Sequence, residues 1–288
     1  MSQVFKSLPR IVAVLGSGQM GSGIAELVAR HEIPVVLMDS SQKALDTAMP
    51  KIETSMRKAA KRGKMPESEV QPTMDRIRPS VSMNGVRDAD LVIEAVQEDE
   101  SVKRDVFAEL DRLAPEHAVL ATNTSSISIT RIAAATKRPD QVVGLHFMNP
   151  APVMTLIEIV RGMGTSKETL EAAEGFSKHL GKTTVVSADR PGFIVNRILI
   201  PMINEAFFVM MEGVASPSDI DTGMVLGTNH PMGPLTLADF IGLDVCLAVT
   251  RVLHESLGED KYRPCPLMVS YVDAGWLGRK TRRGVFKY

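Results

Sequence analysis

Two cysteines, Cys246 and Cys265, are all that 288 residues carry, too few for a disulfide framework or a cysteine-built zinc cluster. No metal site is expected, and the reading is a reducing compartment, the cytoplasm. An excess of either charge is also lacking: 33 Lys and Arg face 34 Asp and Glu, a formal net charge of -1. Without a global field there is nothing to draw nucleic acid or an anionic membrane to the chain, so any anionic ligand must be held locally. Long apolar runs are missing as well. None approaches the roughly 18 residues a bilayer crossing needs, and residues 1–10 lack the apolar centre of a secretory leader. A chain neither embedded nor secreted by that route is expected. Its 44% apolar and 23% charged residues are those of an ordinary globular protein longer than one average domain.

What is present is alternation. Ile11-Val12-Ala13-Val14-Leu15 is a short β-branched run ending at glycine, the pattern of a strand buried on both faces. Small and apolar residues then recur at helical spacing over 20–30, and Pro34-Val35-Val36-Leu37-Met38-Asp39 reads as a second strand. Further strand patterns at 90–95, 118–121, 142–145, 156–160 and 182–187 alternate with helical ones at 102–113 and 167–180. Such alternation predicts a doubly wound α/β sheet. Between Ser40 and Val81 a charged, helix-rich stretch intervenes, over 42–62 and 66–74, and reads as an inserted helical pair. The Asp189-Arg190-Pro191-Gly192 segment ends the β-rich part. Helices are expected beyond it over 193–212, 217–226, 234–257 and 266–273, which divides the chain into a sheet domain, 1–188, and a smaller all-α domain, 189–288.

The first strand runs into Gly16-Ser17-Gly18-Gln19-Met20-Gly21, a G-x-G-x-x-G turn. Alone the pattern is weak; its position after a buried strand, before a helix, with Asp39 ending the next strand, makes it a Rossmann-type dinucleotide site. Gly16 permits the turn, Gly18 lets backbone N–H groups approach a pyrophosphate, and Gly21 lets the helix pack closely. The helix N-terminus adds partial positive charge. Asp39 would accept hydrogen bonds from ribose hydroxyls and repel a 2′-phosphate, so NAD rather than NADP is expected. The alternative is plain turn glycines with Asp39 capping the following helix.

Among six histidines His146 stands apart, because it follows the strand 142–145 and emerges at the C-terminal rim where doubly wound sheets bind ligands. Phe147-Met148-Asn149-Pro150-Ala151-Pro152 follows, stiffened by its prolines. Glu158 is a single carboxylate inside Leu156-Ile157-Glu158-Ile159-Val160, where a buried charge needs a partner. Oxidising a secondary alcohol needs a base for the hydroxyl proton, and imidazole suits that role with a carboxylate to orient it. Spacing alone leaves open a structural histidine and a glutamate facing water.

Gly16-Ser17-Gly18-Gln19-Met20-Gly21, Asn123-Thr124-Ser125-Ser126-Ile127, His146-Phe147-Met148-Asn149-Pro150 and Pro191-Gly192-Phe193-Ile194-Val195-Asn196-Arg197 closely resemble the L-3-hydroxyacyl-CoA dehydrogenases. The resemblance runs from about Ile11 to Tyr288, and the length matches the short bacterial 3-hydroxybutyryl-CoA type. It implies oxidoreduction between (S)-3-hydroxyacyl-CoA and 3-oxoacyl-CoA with NAD, His146 and Glu158 as the catalytic pair, and a homodimer. It also implies that Ser125 and Asn196 contact the substrate, Ser125 at the 3-oxygen or the nicotinamide and Asn196 at the acyl group; the plainer readings are a helix N-cap for Ser125 and a polar helix start for Asn196. Gln19 and Met20 belong to the dinucleotide turn, and by the same likeness Glu98, Lys103 and Asn149 line the NAD site, with Lys280 reaching it from the tail. The family's coenzyme A contacts fall on the helical pair, where Lys51, Ser55, Lys58 and Arg62 share one helical face. A solvated basic stripe is the other reading of that face.

The likeness further implies that the helical half closes over the acyl chain about a hinge near Pro191. Met202, Met210 and Met211 border an acyl pocket or pack the core. One departure is visible in Gly278-Arg279-Lys280-Thr281-Arg282-Arg283-Gly284-Val285, where the family usually has glycine at 282 and an aromatic at 285, which bears on Lys280. Two other functions stay open: the same fold acting on a hydroxy acid or sugar acid without CoA, or a catalytically idle NAD-binding protein.

Overall fold

A computed structural model describes Val4 and residues 8–288; the amino-terminal stretch read for a leader lies largely outside the described residues. The chain divides into two units, the first ending at Arg190 and the second running Pro191–Tyr288.

The first unit is built on an eight-stranded sheet. In chain order its elements are β1 (Val12–Leu15), α1 (Gln19–Arg30), β2 (Val35–Met38), α2 (Gln42–Lys61), α3 (Val70–Asp75), β3 (Ile77–Ser80), β4 (Leu91–Glu94), α4 (Glu100–Leu113), β5 (Val119–Thr122), α5 (Ile129–Ala133), β6 (Val142–Phe147), β7 (Leu156–Arg161), α6 (Lys167–His179) and β8 (Thr183–Ala188). Spatially they run β3-β2-β1-β4-β5-β6-β7-β8. β1, β2, β4 and β5 are buried at every residue, as their largely apolar composition demands; Glu94 of β4 and Thr122 of β5 are the polar exceptions. The order reverses between β1 and β4, which pair in parallel, and a doubly wound sheet opens its ligand crevice at that reversal, beyond the carboxyl ends of the strands.

Three local features differ from the expectation. The inserted stretch holds a strand, β3, which pairs with β2 along the sheet edge; its sequence Ile77-Arg78-Pro79-Ser80 has one buried residue and a proline, so neither apolar run nor alternation announced it. β7 runs antiparallel to β6, whereas β1 to β6 pair in parallel where they meet. The intervening residues 148–155 explain this, since a parallel return needs a crossover of about a dozen residues or more. His146 lies within β6 rather than after it, the strand continuing through Phe147.

The second unit is all-α among the described residues: α7 (Val195–Met211), α8 (Pro217–Thr228), α9 (Pro234–Ile241), α10 (Leu243–Leu257) and α11 (Pro266–Asp273) surround Ile203, Phe207, Leu235, Leu243, Leu253 and Met268. The single helix expected over 234–257 is two, because Gly242 takes φ +107°, outside any helical region. Asp239 ties down the tail by accepting the N–H groups of Val285 and Phe286, each at 2.9 Å. Met210 packs against this unit's core. Both cysteines are buried, and burial pushes the Cys246 thiol up to about 12, so it is not poised as a nucleophile.

Arg282, the departure noted above, sits at φ +58°, a left-handed backbone that glycine adopts without a Cβ penalty. Arg282→Gly should therefore stabilise the protein by about 1 kcal/mol. Urea unfolding of the two proteins measures it; equal or lower stability of the glycine variant would contradict the strain.

Candidate active site

The dinucleotide turn forms where β1 ends. The Gly16 N–H donates to Met38 O at 2.7 Å, and the chain turns at φ +94°. A Cβ at Gly16 would stand 2.4 Å from the Ala95 carbonyl oxygen, and one at Gly21 only 1.7 Å from the Gly16 carbonyl oxygen. Gly21 is thus needed by the turn itself as well as by helix packing. A Cβ at Gly18 would meet nothing within 4 Å, so there the turn opens onto space. Gly18 is also the N-cap of α1 and provides no side-chain cap, which leaves the first-turn N–H groups of Gln19, Met20 and Gly21 without an intrahelical acceptor. An uncapped helix start facing open space fits a pyrophosphate.

Asp39 stands beside it, just past β2. Its Oδ2 accepts the Ser17 N–H at 2.9 Å and the Ser17 hydroxyl at 2.7 Å, and Oδ1 accepts the Ser41 N–H at 3.0 Å. Ser41, not Asp39, caps α2. Burial alone would raise the Asp39 carboxyl, but these bonds outweigh it and hold the group below its ordinary value. A cleft of about 520 Å³ opens next to Asp39 between apolar walls that include Met38, Val81, Met83, Val96 and Val102. Apolar walls with one carboxylate at the side suit an adenosine: the faces take the base, the carboxylate the ribose hydroxyls.

A buried polar network occupies the ends of β4 and β5. Lys103 of α4 is 1% exposed, and its Nζ lies 2.6 Å from Glu94 Oε1 and 3.3 Å from Glu98 Oε2. Glu94 Oε2 accepts the Thr122 hydroxyl at 2.7 Å. Glu98 Oε1 accepts the Thr124 hydroxyl at 2.6 Å, the Ser125 N–H at 2.8 Å and the Ser125 hydroxyl at 3.2 Å. Burial would raise Glu98, but the Lys103 charge and these donors pull it below its ordinary value. Ser125 is therefore placed through Glu98 by a fully buried lysine, and it is Ser128, not Ser125, that caps α5. Sequence reasoning missed Glu94 and Thr122. Glu94 ends an otherwise apolar strand and, like Glu158, is a carboxylate whose burial requires a partner.

His146 and Glu158 are directly opposite in the antiparallel β6–β7 ladder, so both side chains leave the same face of the sheet. His146 Nδ1 lies 2.7 Å from Glu158 Oε2, and the carboxylate, able only to accept, makes Nδ1 the donor. Glu158 is wholly buried and His146 is 7% exposed. An imidazole so held has one tautomer and one orientation. Two contacts tie the end of β6 and the loop after it to their neighbours: the Phe147 N–H donates to Asn123 Oδ1 at 2.9 Å, and Gln19 Nε2 of α1 donates to Asn149 Oδ1 at 3.1 Å. Lys182 fixes the intervening loop, its Nζ donating to the carbonyls of Ala151 and Met154 at 2.8 and 2.6 Å.

The other expected residues are distributed unevenly. Lys51 and Ser55 of α2 line a second cleft, about 800 Å³, which they share with Gly18, Gln19 and Asn149; Lys58 and Arg62, on the same face of the helix, do not line it. Asn196 is the second residue of α7. Lys280 Nζ is held by Asp244 at 2.6 Å, a pairing within the second unit. Among the described residues no group of three or more His, Cys, Asp and Glu could hold a metal ion, and no helix is long and apolar enough to cross a membrane.

The carboxyls held low fix the acid behaviour. Folded Asp39, Asp90 and Glu98 bind protons less tightly than when unfolded, so the stability they contribute is full above the ordinary values, 3.8 and 4.5, and is lost as pH falls through the depressed ones. Glu26, which burial pushes up, acts oppositely. Melting temperature should fall between about pH 5 and about pH 3, and a flat profile would contradict the net sign.

Residues 11–190 match the family model described as 3-hydroxyacyl-CoA dehydrogenase, NAD binding domain, and residues 192–288 match its C-terminal domain. A 3-hydroxybutyryl-CoA dehydrogenase of Bradyrhizobium diazoefficiens is 50% identical over 96% of this chain and 94% of its own. A probable 3-hydroxybutyryl-CoA dehydrogenase of Bacillus subtilis is 49% identical over 96% of each. The crystal structure of the (S)-3-hydroxybutyryl-CoA dehydrogenase of Ralstonia eutropha superposes with a TM-score of 0.93 at 47% identity, covering 97% of this chain and 99% of that one.

Proposed function

Because the chain belongs to the 3-hydroxyacyl-CoA dehydrogenase family, we propose that it interconverts (S)-3-hydroxyacyl-CoA and 3-oxoacyl-CoA with NAD, acting on short chains such as 3-hydroxybutyryl-CoA and acetoacetyl-CoA. The observation that carries the mechanism is the buried 2.7 Å contact between His146 and Glu158.

Bound NAD supplies the acceptor for the hydride leaving C3 of the alcohol. The Gly16 to Gly21 turn and Asp39 would hold its pyrophosphate and adenosine, Asn149 would contribute to the nicotinamide part of the site, and Glu98 and Lys103 fix the Ser125 loop. The Ser125 hydroxyl, turning from Glu98, donates its hydrogen to the 3-oxygen, while the Ser125 N–H stays on Glu98. His146, with Nδ1 on Glu158, takes the hydroxyl proton at Nε2 and returns it in the reverse direction. Glu158 keeps the ring in the tautomer this requires and stabilises the imidazolium that results. Asn196 steadies the acyl group, and the Lys51 and Ser55 face of α2 receives the coenzyme A part. A homodimer in the cytoplasm completes the proposal; light scattering on the purified protein decides the first of these.

Loss of NADH absorbance on adding acetoacetyl-CoA tests the reading. Turnover that weakens as the 3-oxoacyl chain lengthens is expected. Absence of turnover with every 3-oxoacyl-CoA, beside reduction of a free 3-oxo acid, would overturn the thioester assignment.

A further inference from the structure

One carboxyl in the larger cleft has no place in this chemistry. Gln19, Ser22, Gly23 and Glu26 fall on one face of α1 at spacings of three and four, and all line the cleft of about 800 Å³ that α1 shares with α2. The first three are small or neutral; the last is a glutamate with only 2% of its surface exposed. Its Oε1 is buried without a hydrogen bond, and the Arg30 Nη1 forms an ion pair with it at 3.5 Å. Burial pushes the carboxyl above its ordinary value, against the pull of the Ser55 hydroxyl and Arg30. A buried acceptor left short of a donor is costly, and at the wall of a cleft that shortage points to a donor arriving with the ligand.

The charges around the cleft say which kind of donor. Lys43 and Lys51 line it and are exposed, whereas Glu26 lies buried. Phosphate groups are drawn to the lysines and repelled by the carboxylate, so the group meeting Glu26 is a neutral N–H or O–H. Coenzyme A is built this way, with phosphates at one end and an arm of amide and hydroxyl donors. We propose that Glu26 is a substrate-recognition residue whose buried carboxyl accepts a hydrogen bond from a neutral donor of the coenzyme A moiety seated between α1 and α2. This rests on the acyl-CoA reading above and names the residue that reads the ligand there.

The test compares wild type with Glu26→Met, which removes the acceptor, and Glu26→Gln, which keeps one in the same shape. Calorimetric affinity for free coenzyme A, KM for acetoacetyl-CoA, KM for NADH and melting temperature are measured for each. In Glu26→Met the affinity for coenzyme A and the KM for acetoacetyl-CoA should worsen by roughly tenfold, with kcat changed by less than about twofold and KM for NADH unaltered. Glu26→Gln should lie between it and wild type. With S-acetoacetyl-N-acetylcysteamine, which lacks the nucleotide and most of the arm, the variants should converge on wild type. Unchanged coenzyme A affinity in folded Glu26→Met, or a loss that falls on NADH instead, overturns the assignment while the acyl-CoA reading stands. A wild type that neither binds coenzyme A nor reduces acetoacetyl-CoA overturns both.

Discussion

His146→Gln should lower kcat for acetoacetyl-CoA reduction by roughly 10³- to 10⁴-fold while leaving NADH affinity within about twofold of wild type. The glutamine can hydrogen-bond to Glu158 but cannot shuttle a proton, so the loss falls on the chemical step. Glu158→Gln should cost about 10²-fold or more, because an amide in place of the carboxylate neither selects the Nδ1–H tautomer nor stabilises an imidazolium. The two residues meet at 2.7 Å and in the proposed mechanism act as one device, so the double variant should be little slower than His146→Gln alone. Penalties that multiply would mean that Glu158 contributes independently of the histidine. A His146→Gln enzyme with wild-type kcat would remove the base from the mechanism altogether.

Asp39→Ser should shift the ratio of kcat/KM for NADH over NADPH by roughly 10²- to 10³-fold toward NADPH. Two effects add: the ribose hydroxyls lose a charged acceptor, and a 2′-phosphate no longer faces a carboxylate, a juxtaposition worth several kcal/mol at about 1.4 kcal/mol per tenfold. Asp39 also holds Ser17 through its N–H and hydroxyl, so part of the NADH loss belongs to the turn. The ratio of the two cofactors cancels that part. Equal use of both cofactors by the wild type, or a ratio unmoved in the variant, would sink the role assigned to Asp39.

How far the sequence reaches depends on the range over which each feature is determined. The turn from Gly16 to Gly21 is contiguous, and its steric demands, a positive φ at Gly16 and no Cβ at Gly21, are written into adjacent residues. Buried strands such as β1 and β4 announce themselves by composition alone. β3 does not, since a half-exposed edge strand with a proline gains its hydrogen bonds from β2 rather than from its own propensity. The direction of β7 went unread although the shortness of residues 148–155 carried it, while the break at Gly242 was hidden in a run whose apolar spacing continues through it.

By itself the sequence determined the α/β alternation, the dinucleotide turn and the family, because each rests on residues close together in the chain or on motifs recurring in fixed order. The pairing of His146 with Glu158 was expected from the sequence; how they meet, and which other charges meet, only the tertiary structure decided. Glu94, Glu98 and Lys103 are joined by the fold of β4 onto α4, His146 reaches Glu158 through the β6–β7 register, and Glu26 is buried without a full set of donors where α1 faces α2. Pairings of that kind follow from strand order and helix docking, which set how much water is excluded around each carboxylate and which donor stands beside it.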